Sequence, residues 1–292
     1  MRRAPIAALA VSLALLPAAG DAQDRPVIVA DSYPVAWMAE RLAGEAAEVR
    51  LPVPAGRDPA LWRPSIAEIA DIQGADLVAL NGSGLADWTG RASLPRSRTV
   101  DTGRGLSGDL IATDTVTHSH GGEGEHSHEG VASYTWLDLD LAARQAEALA
   151  TAMRRAVPGA SVDGNLDALL ADLAALDALG EALPDGTAIA THPRYQYLAR
   201  AYGLDIASLD WGAGETPDAG QMAALEAMVA ETGATALIWE AEPTADARGA
   251  VAALGLEQVV FPPLAMPPAS GDFATAMRAG LLELADALAT GG

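Results

Sequence analysis

Four of the five histidines in this 292-residue chain, His118, His120, His126 and His128, fall within eleven consecutive residues. Neutral imidazole suits zinc, copper or nickel, and Glu123, Glu125 and Glu129 add oxygen donors between and beside the rings. There is no cysteine, so no thiolate is available for a cuprous site, no disulfide can form, and no lipid can be attached through sulfur. The two His-Ser-His units put alternate imidazoles on one side of an extended chain. Residues 117–130 contain four glycines and nothing apolar to bury, which predicts a mobile surface loop. Ordering such a loop around an ion costs conformational entropy, so by itself it would capture metal with modest affinity, as an accessory. The same composition also reads as an unselected low-complexity insert.

The elements that must position these residues alternate. Pro26 to Ala30 reads as a short buried strand and Tyr33 to Leu42 as a helix stopped by Gly44. Ala46 to Val53 reads as a strand, Ser65 to Ile72 as a helix capped by Ser65, and Ala75 to Leu80 as a third strand. Leu139 to Ala156 has a helical period, Pro158 and Gly159 break it, and Ser161 to Leu183 resumes it as a rod of about 30 Å. Strands then recur at 187–190, 206–209, 234–239 and 259–261, with helices at 195–202, 218–231, 245–254 and 273–288. The reading is α/β: two lobes with mostly parallel sheets, 23–159 and 184–292, joined by one long connecting helix at 160–183. The fifth histidine, His192, directly follows a predicted strand, at the edge where such sheets bind ligands; a lone histidine there also reads as structural. Trp37, Trp62, Trp88, Trp136, Trp211 and Trp239 lie beside apolar segments and read as core and cleft wall rather than a stacking surface.

The first residues carry Arg2 and Arg3, an apolar run from Ile6 to Leu16, and small residues from Ala18 to Ala22. That is the pattern of a cleavable secretory signal, with an apolar run shorter than the roughly 20 residues a spanning helix needs. Residues 1–22 are therefore expected to be removed, leaving a protein free in the periplasm. A formal charge of −21 disfavours nucleic acid and anionic membrane and favours cationic ligands.

Several segments together resemble the zinc- and manganese-specific solute-binding proteins of ABC importers. Gly56 to Pro59 (GRDP), followed by Trp62 and Pro64, is similar to that family's G-x-D-P-H-x-Y-x-P segment, and Ala75 to Gly82 to the strand and turn after it. Ser133 to Asp138 (SYTWLD) stands where the family has D-P-H-x-W-L-D, behind a His-rich loop as in those proteins. Thr191 to Leu204 resembles S-H-x-x-x-x-Y-x-x-x-x-Y-G-L, and Ile238 to Pro243 with Phe261 to Leu264 resembles the carboxylate-bearing strand end and the D-P-L turn. The resemblance covers nearly the whole chain beyond residue 22. It implies a two-lobed receptor, expected to be a monomer, that closes on a divalent metal, zinc first and manganese second, and delivers it to ABC permease membrane subunits.

Two of the three implied pocket histidines are replaced, by Ala60 and Tyr134, leaving His192. The resemblance then offers Glu242, Glu240 and Asp58 as further metal ligands. Asp58 also reads as a turn residue before Pro59, and Glu240 and Glu242 as solvated residues or caps of the next helix. One imidazole plus carboxylates makes a harder, weaker site that shifts preference toward manganese, unless a loop histidine folds in and keeps zinc. The loop histidines are the natural donors, because Glu129 precedes Tyr134 by only five residues. An exported metallohydrolase would need H-E-x-x-H or G-x-S-x-G, and neither is present. A metallochaperone or metal buffer acting without an importer remains open.

Overall fold

The computed structural model describes residues 25–120 and 124–291, with 114–120 and 124–129 as backbone only. The expected signal segment therefore lies outside the described residues.

The first half opens with β1 (Val27–Ala30), α1 (Tyr33–Ala43), β2 (Glu48–Arg50), α2 (Ile66–Gly74), β3 (Leu77–Leu80) and β4 (Thr99–Asp101). Helix α2 starts where the sequence places its cap: the Ser65 hydroxyl accepts from the Glu68 N–H while Glu68 reaches back to the Ser65 N–H. The four strands form a parallel sheet in the order β2-β1-β3-β4. Strand β4 has no apolar run to announce it and is not anticipated from the sequence.

The His-rich segment is not an irregular loop. β5 (Ala112–His120) and β6 (Gly124–Val131) pair antiparallel, with His118 opposite His126 and Ser119 opposite Glu125. Backbone pairing does not itself require apolar side chains. Alternation with period two is enough to permit an antiparallel ladder.

Two long helices follow, α3 (Leu139–Ala156), capped by Asp138, and α4 (Val162–Glu181). At 20 residues α4 spans about 30 Å. The second half comprises β7 (Thr187–Ala190), α5 (Gln196–Tyr202), β8 (Asp205–Ser208), α6 (Ala219–Thr232), β9 (Ala236–Trp239), α7 (Ala245–Ala252), β10 (Glu257–Val260) and α8 (Phe273–Thr290). Its strands form a parallel sheet in the order β10-β9-β7-β8. Helix α4 packs on α1 and α3 of the first half and on α5 and α8 of the second, so one rod is shared by both. The central strands β7 and β9 are buried almost throughout, as parallel strands covered by helices on both faces must be. All six tryptophans are buried. They pack with other rings, Trp62 with Trp88 and Trp211 with Trp239 among them, which makes them core rather than a ligand platform.

Both sheets run outward from their first strand in both directions. Each therefore has a crevice where the strand order reverses, at the carboxyl ends of β1 and β3 in one and of β7 and β9 in the other.

Candidate metal centre

His192 and Glu240 each follow a strand flanking the second crevice, two residues past β7 and one past β9. The loop after β8 closes on His192. The Trp211 N–H donates to the Thr191 carbonyl at 2.8 Å, and His192 Nδ1 lies 3.1 Å from the Trp211 carbonyl and 3.5 Å from Asp210 Oδ1. A carbonyl can only accept, so Nδ1 carries a proton, and in the neutral ring the lone pair is then on Nε2. An imidazole oriented in this way by a backbone oxygen is the usual preparation of a metal ligand. His192 is buried, at 4% exposure.

From the first half come Asp58 and Tyr134. Asp58 makes the turn that its position before Pro59 suggests. Its Oδ1 accepts the Ala60 N–H at 2.9 Å, making the turn, while Oδ2 faces the second half. Tyr134 is buried on Trp136, with ring centroids 4.8 Å apart. Ala60 is also buried.

Between these groups lies a residue that the sequence does not single out. Arg194 turns back just after His192, its N–H donating to the His192 carbonyl at 2.9 Å. Its guanidinium donates to Asp58 Oδ2 at 2.6 Å and to the Tyr134 phenol oxygen, and packs over the Tyr134 ring with its central carbon 4.7 Å from the centroid. Arg194 Nε is 3.5 Å from Glu240 Oε2, an ionic contact too long for a good hydrogen bond. Sequence reasoning missed Arg194 because it occupies an unspecified position of the S-H-x-x-x-x-Y segment. The available signal was a lone cation two residues from the one remaining pocket histidine.

The two carboxylates respond differently to the same guanidinium. Burial pushes Asp58 upward, but Arg194 and the Ala60 N–H outweigh it and hold Asp58 below the usual carboxylate range. Burial dominates at Glu240 and raises it, because Arg194 is farther away and Asp58 repels it. Burial also lifts the Tyr134 phenol well above its ordinary value, so it stays protonated.

Glu242 is not brought to this cluster. It lies past the strand end on an exposed turn and pairs with Arg248 at 2.8 Å. Among the described residues no three His, Asp or Glu side chains converge as a ready cage for an ion. Asp58 and Glu240 instead flank a cation that the chain itself supplies, the Arg194 guanidinium.

A family model described as zinc-uptake complex component A, periplasmic (ZnuA), matches residues 28–287. The zinc-binding lipoprotein AdcA of Streptococcus pneumoniae is 29% identical over 217 residues, 70% of this chain and 42% of AdcA, so the chain spans under half of that relative's length. The high-affinity zinc uptake system protein ZnuA of Bacillus subtilis is 25% identical over 211 residues, 67% of this chain and 63% of that protein. The crystal structure of the metal-dependent lipoprotein YcdH from Bacillus subtilis superposes with a TM-score of 0.75 at 20% identity, covering 90% of this chain and all of that one, which is a likeness of fold. With the match running through both sheets and the helix shared between them, the chain belongs to the ZnuA family of periplasmic zinc-uptake components, which are binding proteins and not enzymes.

Proposed function

We propose that this protein is the exported binding component of an ABC importer. It captures a divalent transition metal, zinc first and manganese second, between two lobes and passes it to a membrane permease. Capture and release make and break only coordinate bonds to the metal and no covalent bond of the protein, so the side chains need only donate lone pairs and change their exposure. The observation that carries this reading is His192, buried at a sheet crevice with its ring oriented by the Trp211 carbonyl at Nδ1. Asp58 and Glu240 supply oxygen, and a hairpin histidine is the candidate for the place of Ala60 or Tyr134. The relatives' names support zinc as cargo, and the oxygen-rich donor set is the reason for keeping manganese. Export by residues 1–22, lobes at 23–159 and 184–292 and a monomeric state belong to the same proposal.

Titration of the demetallated protein with zinc and with manganese, alongside His192→Ala and deletion of 117–129, tests it. Tight one-to-one binding lost in His192→Ala supports capture in the cleft. Binding that survives His192→Ala and disappears with the hairpin would put the cargo on the hairpin and sink the cleft assignment.

A further inference from the structure

Two carboxylates from opposite halves of the molecule meet at one guanidinium. Asp58 is held at 2.6 Å and Glu240 at 3.5 Å, and the phenol of Tyr134 accepts a further N–H of the same guanidinium. The Arg194 side chain is largely buried, at 15% exposure, as are Asp58 at 21% and Glu240 at 10%. A buried charge is retained only when it is paired, and here both carboxylates are paired with one cation. We propose that Arg194 is a tethered counter-cation that sets the cleft's selectivity, and that a divalent metal enters the cleft only by displacing its guanidinium from Asp58 and Glu240. This inference rests on the reading of the cleft as the capture site.

The charge tally favours exchange over joint occupancy. Asp58 and Glu240 with Arg194 leave one net negative charge, whereas the same carboxylates with a divalent ion and neutral His192 leave none. Metal and guanidinium together would put excess positive charge into a buried space. They would also compete for the same carboxylate oxygens, which a planar guanidinium and a metal use in different geometries. Selectivity follows from the exchange. An ion must gain more from two carboxylates and one imidazole than the tether does, which disfavours weakly bound cations.

A different role for Arg194, as a tie between the halves, makes the opposite prediction. Removing a tie loosens the cleft and weakens metal binding; removing a competitor strengthens it. The test is calorimetric titration of the full demetallated chain with zinc chloride and with manganese chloride. Arg194, Arg194→Gln and Arg194→Lys are each measured with His192 and again with His192→Ala, so that the cleft's share is the part that His192→Ala removes. Arg194→Gln should bind at least about tenfold tighter in that His192-dependent phase, and Arg194→Lys, which keeps a cation, should gain less. His192-dependent binding that is equal or weaker in Arg194→Gln overturns the proposal while leaving capture in the cleft intact. Binding indifferent to His192 in every background removes the capture reading, and this inference with it. Should Arg194→Gln fail to fold, Tyr134→Phe decides in the same way. It removes one acceptor of the guanidinium and the phenol's own 3.4 Å donation to Asp58, both of which hold the cluster closed, and no charge, so tighter binding supports displacement and equal or weaker binding overturns it.

Discussion

His192 Nδ1 sits 3.1 Å from the carbonyl of Trp211, the residue whose own N–H is bonded to Thr191 next to that histidine. The ring is thus fixed by the loop after β8, independently of any ion. The metal-free protein should hold His192 in the Nδ1–H tautomer. Two-bond nitrogen-proton correlation spectra of the labelled protein report this directly, and an Nε2–H signature for this residue would remove the basis for Nε2 as the donor.

Asp31, at the crevice of the first sheet, predicts a pH effect on stability. It is wholly buried, and desolvation raises its pKa from 3.8 to about 7, against the hydrogen bonds from the Asn81 N–H and the Ser32 hydroxyl. The folded state therefore holds a proton that the unfolded chain has released. The associated stability is full below about pH 4 and is lost as pH rises through 7, by on the order of 4 kcal/mol. Urea midpoints of the parent should fall between about pH 5 and pH 8 by more than those of Asp31→Asn. Equal falls would take Asp31 out of the account.

Gln145 is buried within α3 and joins three partners, donating to Asn81 Oδ1 at 2.9 Å and Thr102 Oγ1 at 3.0 Å and accepting from the Thr135 hydroxyl at 3.0 Å. Truncation leaves these groups buried without it. Gln145→Ala should cost about 2 to 4 kcal/mol in chemical denaturation, more than a cavity of that size in an exposed helix would.

Gly280 of α8 lies against Phe261, with a Cβ placed there only 2.4 Å from the ring. Phe261 is fully buried, and its carbonyl receives the Tyr195 hydroxyl. Gly280→Ala should lower stability by about 1 to 3 kcal/mol in thermal or urea unfolding, despite alanine's better helix propensity.

Glu242 serves as the control for the metal site. Its carboxylate is 74% exposed and engaged with Arg248. Zinc titration of Glu242→Gln should match the parent within about twofold, whereas Glu240→Gln should weaken binding.

Most of the fold was legible because apolar runs alternate with helical periods, and because Ser65 and Asp218 announce the helices they cap. Strand β4 was not, since Thr99–Asp101 is three residues long and half-buried. The hairpin β5/β6 escaped for a different reason: backbone pairing asks only for compatible torsions, and its polar composition points to a loop. His192, Glu240 and Asp58 were legible through motif position. Arg194 was not, because a motif records which positions are fixed. It does not say which side chain of the intervening turn folds inward, and that choice is made by Asp58 and Tyr134, more than fifty residues away in sequence.

The root of the hairpin is gripped from the opposite half. The Tyr197 phenol of α5 donates to the Ala132 carbonyl at 2.9 Å and accepts the Ile111 N–H at 3.3 Å, one bond to each strand's base. A single oxygen thus rivets the histidine arm to the helix that begins two residues beyond Arg194. Any parting of the halves at that point must strain both bonds, so opening the cleft pulls directly on the base of the arm.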